Sequence, residues 1–238
     1  MTSLTDFKLI LAAAERANAA YTEDATSAAL QFQNLGQMFI GQYQNQDHQA
    51  VLSRDSQGAV YLSISGTRFS QGAFADLLDD AFTVAVSVGA PHVGMKATEG
   101  AYHGLDVMWD WALSMVPAAT VFNVEGHSLG GWRTLYTPLF LDPKRIGQLV
   151  TFEAPKGANA KYWEFYADIF KSAINVVNGA DIFYGYPHLG EWVHANQEVL
   201  WLHKTGYEVI TPSQWPLGLW EPDHSLTTII QRLIALNN

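Results

Sequence analysis

The 238-residue sequence contains no cysteine, which excludes disulfides and cysteine-ligated metals outright. Charge is scarce and one-sided: 15% of residues are charged, and 13 Lys and Arg face 23 Asp and Glu, a formal −10. A surface of that sign repels phosphate backbones and anionic membranes, so electrostatic binding of nucleic acid is not expected. No stretch approaches the ~18–20 uninterrupted apolar residues of a membrane span. The start, Met1-Thr2-Ser3-Leu4-Thr5-Asp6-Phe7-Lys8, lacks a basic segment followed by an apolar run. A standard signal peptide is therefore not expected, which leaves the cytoplasm or a non-standard export route. Internal repeats, low-complexity tracts and a linker that would divide the chain are lacking too.

What is present is core-forming material. Hydrophobic residues make up 48% of the chain, enough at this length for one well-buried domain over residues 1–238. Residues 5–20 carry Phe7, Ile10, Leu11, Ala14 and Ala17 at helical spacing, with Ser3 and Thr5 offering N-caps. Strands are predicted at 37–43, 48–54 and 58–65, separated by turn residues, which gives an antiparallel opening. The pattern then alternates. Helix is predicted at 97–115, strand at 120–124, helix at 129–141, strand at 147–152, helix at 162–170 and strand at 173–177. Further strands are expected at 192–194, 199–203 and 207–210, and a closing helix at 225–236. Alternation of this kind predicts an α/β fold: a mostly parallel central sheet, helices on both faces, and antiparallel strands at the start.

The strongest local signal is Gly126-His127-Ser128-Leu129-Gly130, followed by Gly131. It fits G-x-S-x-G in the context that motif requires, a strand entering and a helix leaving. A nucleophile on so tight a turn has strained backbone angles, and a Cβ at either flanking position would strike neighbouring backbone. Ser128 is the candidate nucleophile. His127 reads as a residue packed beside the turn rather than as a second base.

Several separate segments, taken with this elbow, resemble the class 3 (fungal-type) lipase family of α/β hydrolases. They are Ala19-Ala20-Tyr21, Ile64-Ser65-Gly66-Thr67, residues 74–80, His92-Val93-Gly94-Met95, the elbow itself, residues 151–159 and Val176-Val177-Asn178-Gly179-Ala180-Asp181. They follow family order across about residues 7–230. The sequence also departs from the pattern. Glu153 stands where the family usually has a small residue, Ala158 intervenes before Asn159, Ser65 replaces an arginine, and Ile182-Phe183-Tyr184 follows the acid.

A serine hydroxyl needs a base, and the base an orienting acid. In α/β hydrolases the acid and then the histidine follow the serine in the chain. His188, His194, His203 and His224 lie late enough. His194 and His203 sit in strands and His188 in a loop. The resemblance favours His224, in the loop before the last helix. Among the acids, Asp181 follows a strand at the same sheet edge as Ser128. Asp168 reads as a solvated helix residue, and Asp223 as the start of the final helix. Oxyanion donors are expected from the amide of Leu129 and, by the resemblance, from Thr67.

The tryptophans of residues 196–222, Trp215 and Trp220 in particular, suit either an apolar substrate wall or the packing of an irregular loop. Phe69, in the segment where the resemblance implies a lid, is a further candidate substrate contact. The expected activity is hydrolysis of carboxylic esters, with lipid or acylglycerol esters implied by the resemblance. Thioester or amide cleavage, or a non-catalytic binding protein, are the alternatives. No metal, organic cofactor or partner protein is indicated, and contact with a lipid interface is expected to be transient.

Overall fold

The computed structural model describes residues 4–45, 48–66, 84–89, 94–187, 190–195, 197–216 and 223–238. Its spine is an eight-stranded sheet in the order β1-β2-β3-β6-β7-β9-β11-β12. The strands are β1 (Met38–Asn45), β2 (His48–Arg54), β3 (Val60–Ile64), β6 (Phe122–His127), β7 (Ile146–Phe152), β9 (Ile174–Asn178), β11 (Val199–His203) and β12 (Gly206–Ile210). β1 to β3 pair antiparallel, as the turn-separated pattern predicts. From β3 through β6, β7 and β9 to β11 every pairing is parallel, and the β11–β12 hairpin closes the far edge.

Side-chain alternation along the strands divides the core. Val150, Phe152, Ile174, Val176, Leu200 and Leu202 face one side, where they meet Ile10, Ala13, Ala14 and Ala17 of α1 (Phe7–Ala19) and Leu226, Ile229 and Leu233 of the C-terminal helix Leu226–Asn237. Leu62, Ile64, Phe122, Val124 and Leu149 face the other, against Leu105, Met108, Trp109 and Ala112. Helices thus cover both faces, and the parallel strands are buried on both sides. Among the described residues no helix is long and apolar enough to cross a membrane.

Several local expectations needed correction. α1 is capped by Asp6, whose carboxylate accepts from the Leu9 amide at 3.2 Å, rather than by Ser3 or Thr5. A second helix, α2 (Ala25–Asn34), follows with Asp24 as its cap; its apolar period is too weak to stand out. Residues 97–115 are not one helix. They comprise the end of β5 (Lys96–Thr98), a single turn Glu99–Tyr102, and the helix Leu105–Ser114, which starts after a left-handed Gly104 (φ 74°). Residues 129–141 and 162–170 likewise break into shorter helical pieces. β5 belongs to a second, antiparallel sheet of four strands, in the order β10-β8-β5-β4. β4 is Ala85–Ser87, β8 Ala158–Asn159 and β10 Trp192–Val193. Strands of two or three residues are too short to show an alternation.

Candidate active site

β6 lies between β3 and β7, pairing Gly126 with Ile64 on one side and Thr151 on the other. The chain then turns into the helix Leu129–Thr134 through Ser128, whose φ of 58° and ψ of −124° are costly for a residue with a side chain. The surrounding structure holds it there. The Ser128 amide donates to the Phe152 carbonyl at 2.9 Å. A Cβ on Gly130 would run into the Ile64 carbonyl, and one on Gly126 into Gly130 itself. No other residue type permits the helix to leave so close to the sheet. Gly66 packs against the same turn: a Cβ there would lie 2.7 Å from the His127 carbonyl and 3.0 Å from the Ser128 Cβ. The Ser128 side chain is buried, and its hydroxyl makes no hydrogen bond to any described residue.

The neighbouring strands deliver the other groups to this sheet edge. After β9 the turn Gly179-Ala180 leads to Asp181, which is fully buried. Its two oxygens accept from the amides of Phe183 (3.0 Å) and Tyr184 (3.1 Å), which fixes the plane of the carboxylate. Oδ1 also lies 3.1 Å from His224 Nδ1, so the two residues predicted as acid and base, 43 positions apart, are joined. Asp223 has a different task from the helix start expected of it. Its Oδ2 accepts from the Ala180 amide at 2.8 Å, and its carbonyl accepts from the Asn178 side chain at 2.5 Å. It ties the loop carrying His224 to the turn carrying Asp181. The cap of the last helix is Ser225.

The remaining predicted residues lie as follows. The Leu129 amide opens the elbow helix beside Ser128; the first amides of a helix have no intrahelical partner. Trp215 packs edge-on to Tyr184, ring centroids 5.1 Å apart, against the cluster Val177, Tyr184, Val199 and Ile210. Of the two roles open to it, these contacts are those of loop packing. Thr67, Phe69, Trp220 and His188 lie outside the described residues, as does most of the segment 68–94 read as a lid, of which residues 84–89 and 94 are described. His203 bonds Thr205 and faces Glu208, His194 stacks on Tyr184, and Asp168 pairs with Lys171 on the surface.

Sequence reasoning missed a buried polar network behind the elbow. The Tyr21 hydroxyl, just past α1, lies 2.7 Å from His127 Nδ1, and His127 Nε2 lies 2.9 Å from Glu153 Oε2. The His127 and His224 rings are tilted against one another at 4.8 Å. Burial, reinforced by His224, pushes the His127 imidazole well below its ordinary pKa and keeps it neutral. Burial, followed by the charges of Asp181 and Asp223, pushes the Glu153 carboxyl well above its ordinary value. The signal for Glu153 was its departure from a small residue, and for Tyr21 its place in a recognised segment. One donor atom from each of His127, Glu153 and His224 falls within 4.8 Å of the others, a spacing worth testing against metal binding. With the Tyr21 hydroxyl donating to His127 Nδ1, however, His127 Nε2 carries a proton and donates to Glu153. His224 Nδ1 is likewise engaged with a carboxylate. These hydrogen bonds engage three of the cluster's ring nitrogens, both of His127 and Nδ1 of His224.

Solved structures match this fold over nearly the whole chain. A lipase from Rhizopus microsporus var. chinensis aligns with a TM-score of 0.66 at 17% identity, covering 94% of this chain and 87% of that one. Lipase II from Rhizopus niveus aligns at 0.67 and 18%, covering 94% of each chain. A triacylglycerol lipase described as having a serine protease triad as its catalytic centre aligns at 0.70 and 18%, again over 94% of each. This chain has the α/β-hydrolase fold. No family model matches the sequence, and no curated protein matches it. At such identities the likeness carries the fold alone. In an α/β-hydrolase fold the nucleophile, acid and histidine come from the ends of the central strands in the order Ser, Asp, His. Ser128 after β6, Asp181 after β9 and His224 after β12 follow that order.

Proposed function

We propose that the protein is a serine hydrolase of carboxylic esters, with lipid or acylglycerol esters as its substrate class. The observation that carries the reading is the pairing of a strained, buried Ser128, its hydroxyl without a described partner, with an Asp181–His224 hydrogen bond of 3.1 Å at the same sheet edge. The fold shared with triacylglycerol lipases supports it.

In this reading Asp181 holds His224 through Nδ1, which leaves Nε2 to receive the Ser128 proton as the hydroxyl attacks the ester carbonyl. The tetrahedral oxyanion is held by the Leu129 amide and by Thr67, each such donor contributing about 3 kcal/mol of transition-state stabilisation. The imidazolium returns its proton to the departing alcohol. Water, activated by the same histidine, then releases the acid from Ser128. Interactions with a lipid surface during turnover belong to the same proposal.

Ser128→Ala should lower kcat on a p-nitrophenyl ester by on the order of 10⁵–10⁶-fold while leaving the thermal transition in place. A fluorophosphonate probe should label the wild-type protein at Ser128. Turnover retained by a folded Ser128→Ala protein would refute the assignment.

A further inference from the structure

Among the described residues, two non-glycine positions adopt positive φ: Ser128, and Glu153 at 53°. Glu153 follows β7 directly, is fully buried, and is held by its amide, which donates to the Val176 carbonyl at 2.8 Å. A left-handed backbone favours glycine there, yet the position carries an acid in the protein interior. Its Oε2 lies 3.5 Å from His224 Nδ1. That is the nitrogen Asp181 Oδ1 holds at 3.1 Å. Two carboxyl groups from adjacent parallel strands, β7 and β9, thus converge on one imidazole nitrogen.

We propose that Glu153 is a second acid of the site: a positioning residue that shares His224 Nδ1 with Asp181 and takes over its role when the Asp181 charge is removed. The inference rests on the reading of Ser128 and His224 as nucleophile and base. Its geometry is anchored from behind. The Tyr21 hydroxyl accepts from the Gly66 amide and lies 2.7 Å from His127 Nδ1, and His127 Nε2 lies 2.9 Å from Glu153 Oε2. This chain of neutral groups fixes where the Glu153 carboxyl points.

The groups facing Glu153 come from every element around it: Tyr21 past α1, His127 on β6, Asn178 and Asp181 at the end of β9, Asp223 and His224 in the loop, and Arg232 on the last helix. Burial, then Asp181, then Asp223 hold its proton on, with Arg232 opposing them. With the Asp181 charge beside it, Glu153 holds its proton well above the ordinary carboxyl range. Its Oε2 then flanks His224 Nδ1 at 3.5 Å from the second side. Loss of the Asp181 charge removes the strongest electrostatic reason for Glu153 to stay protonated. Glu153 then releases its proton to solvent at a lower pH and presents a carboxylate to the same N–H.

The test is a double-mutant cycle on the full chain with a soluble p-nitrophenyl ester. kcat and KM are read from pH 5 to 10 for wild type, Asp181→Asn, Glu153→Gln and the double variant. Asp181→Asn should lose about 10–100-fold in kcat rather than the ~10⁴-fold known for loss of a triad carboxylate. Its residual activity should rise with pH as Glu153 ionises. Adding Glu153→Gln should remove that rise and cost a further ~100-fold in kcat at unchanged KM. The same substitution in the wild-type background should cost less than about 10-fold. If Asp181→Asn does not fold, the pH profile of Glu153→Gln decides. The wild type should show an alkaline inflection in kcat/KM that this variant lacks, and superimposable profiles would overturn the proposal. An active wild type whose Asp181→Asn variant is equally impaired with Glu or Gln at 153 would overturn the second acid and leave the hydrolase reading standing. A wild type inert to both the ester and the fluorophosphonate probe would overturn both.

Discussion

Arg16 and Glu125 form a buried ion pair that fastens α1 to the strand leading into the elbow, and its disruption can be worked through quantitatively. Arg16 Nε and Nη2 donate to Glu125 Oε1 and Oε2 at 2.6 and 2.7 Å. Ser63 on β3 donates to Oε1 at 2.7 Å, and the Arg16 guanidinium lies 3.9 Å from the centre of the Tyr61 ring. Arg16 is 7% exposed and Glu125 2%. Burial by itself would lower the guanidinium pKa; the adjoining Glu125 carboxylate more than reverses this and raises it. Arg16→Met keeps the apolar stem and removes the charge, leaving Glu125 buried without its counter-ion. Removal of one partner of such a pair costs about 3–5 kcal/mol. That is about a fifth or more of the ~5–15 kcal/mol a domain possesses. At about 2–4 °C per kcal/mol for a chain of this size, the transition should fall by roughly 6–20 °C. Glu125→Leu should cost a similar amount. The double variant, with no buried charge left, should return to within about 1 kcal/mol of wild type or exceed it. Urea unfolding and thermal scans of the four proteins at neutral pH measure this directly. A double variant as unstable as the two single losses added together would refute the account, because the pair would then contribute nothing as a pair.

The stability profile below neutrality follows from three buried groups. His127 is pushed well below its ordinary value, by burial first and His224 second, and His194 down to about 3, chiefly by burial. In each case the unfolded chain takes up a proton below about pH 6.5 that the folded chain refuses, so stability present above that pH is lost as pH falls. Glu153 acts oppositely: its raised value makes its contribution complete below about pH 4.5 and lost as pH rises. Between pH 4.5 and 6.5 the two histidines outweigh it, and stability should fall by about 1.4 kcal/mol per pH unit on acidification. Glu153→Gln should steepen this to about 2.7; equal slopes by urea unfolding would show that Glu153 is ionised in the folded protein. Gly130→Ala should destabilise by more than about 3 kcal/mol, or prevent folding, because its Cβ would enter the space of the Ile64 carbonyl. A Gly130→Ala protein with a wild-type melting curve would rule out the tight packing of the elbow.

The central strands were legible in the sequence because each is a compact β-branched run, and the elbow because its glycines answer a backbone constraint contained within five residues. The order Ser128, Asp181, His224 was legible because the fold class imposes it. The Asp181–His224 hydrogen bond was reachable only through that order, since 43 residues separate the partners. The second sheet escaped because pairings of one to three residues leave no periodic trace. The break at Gly104 escaped because the apolar spacing of Ala101, Leu105 and Met108 continues across it.

The sequence by itself determined the local chemistry: where a strand must turn into a helix, which serine stands on that turn, and which faces of α1 and the last helix are apolar. Only the tertiary structure decided the company that Glu153, His127, Tyr21, Arg16 and Glu125 keep. Each is an ordinary polar residue along the chain, and neither spacing nor propensity marks a polar side chain for burial. Their partners lie up to 109 positions away and meet only when parallel strands place successive loop ends side by side. Buried polar groups are fixed by that convergence, because each must find its counterpart once water has been excluded.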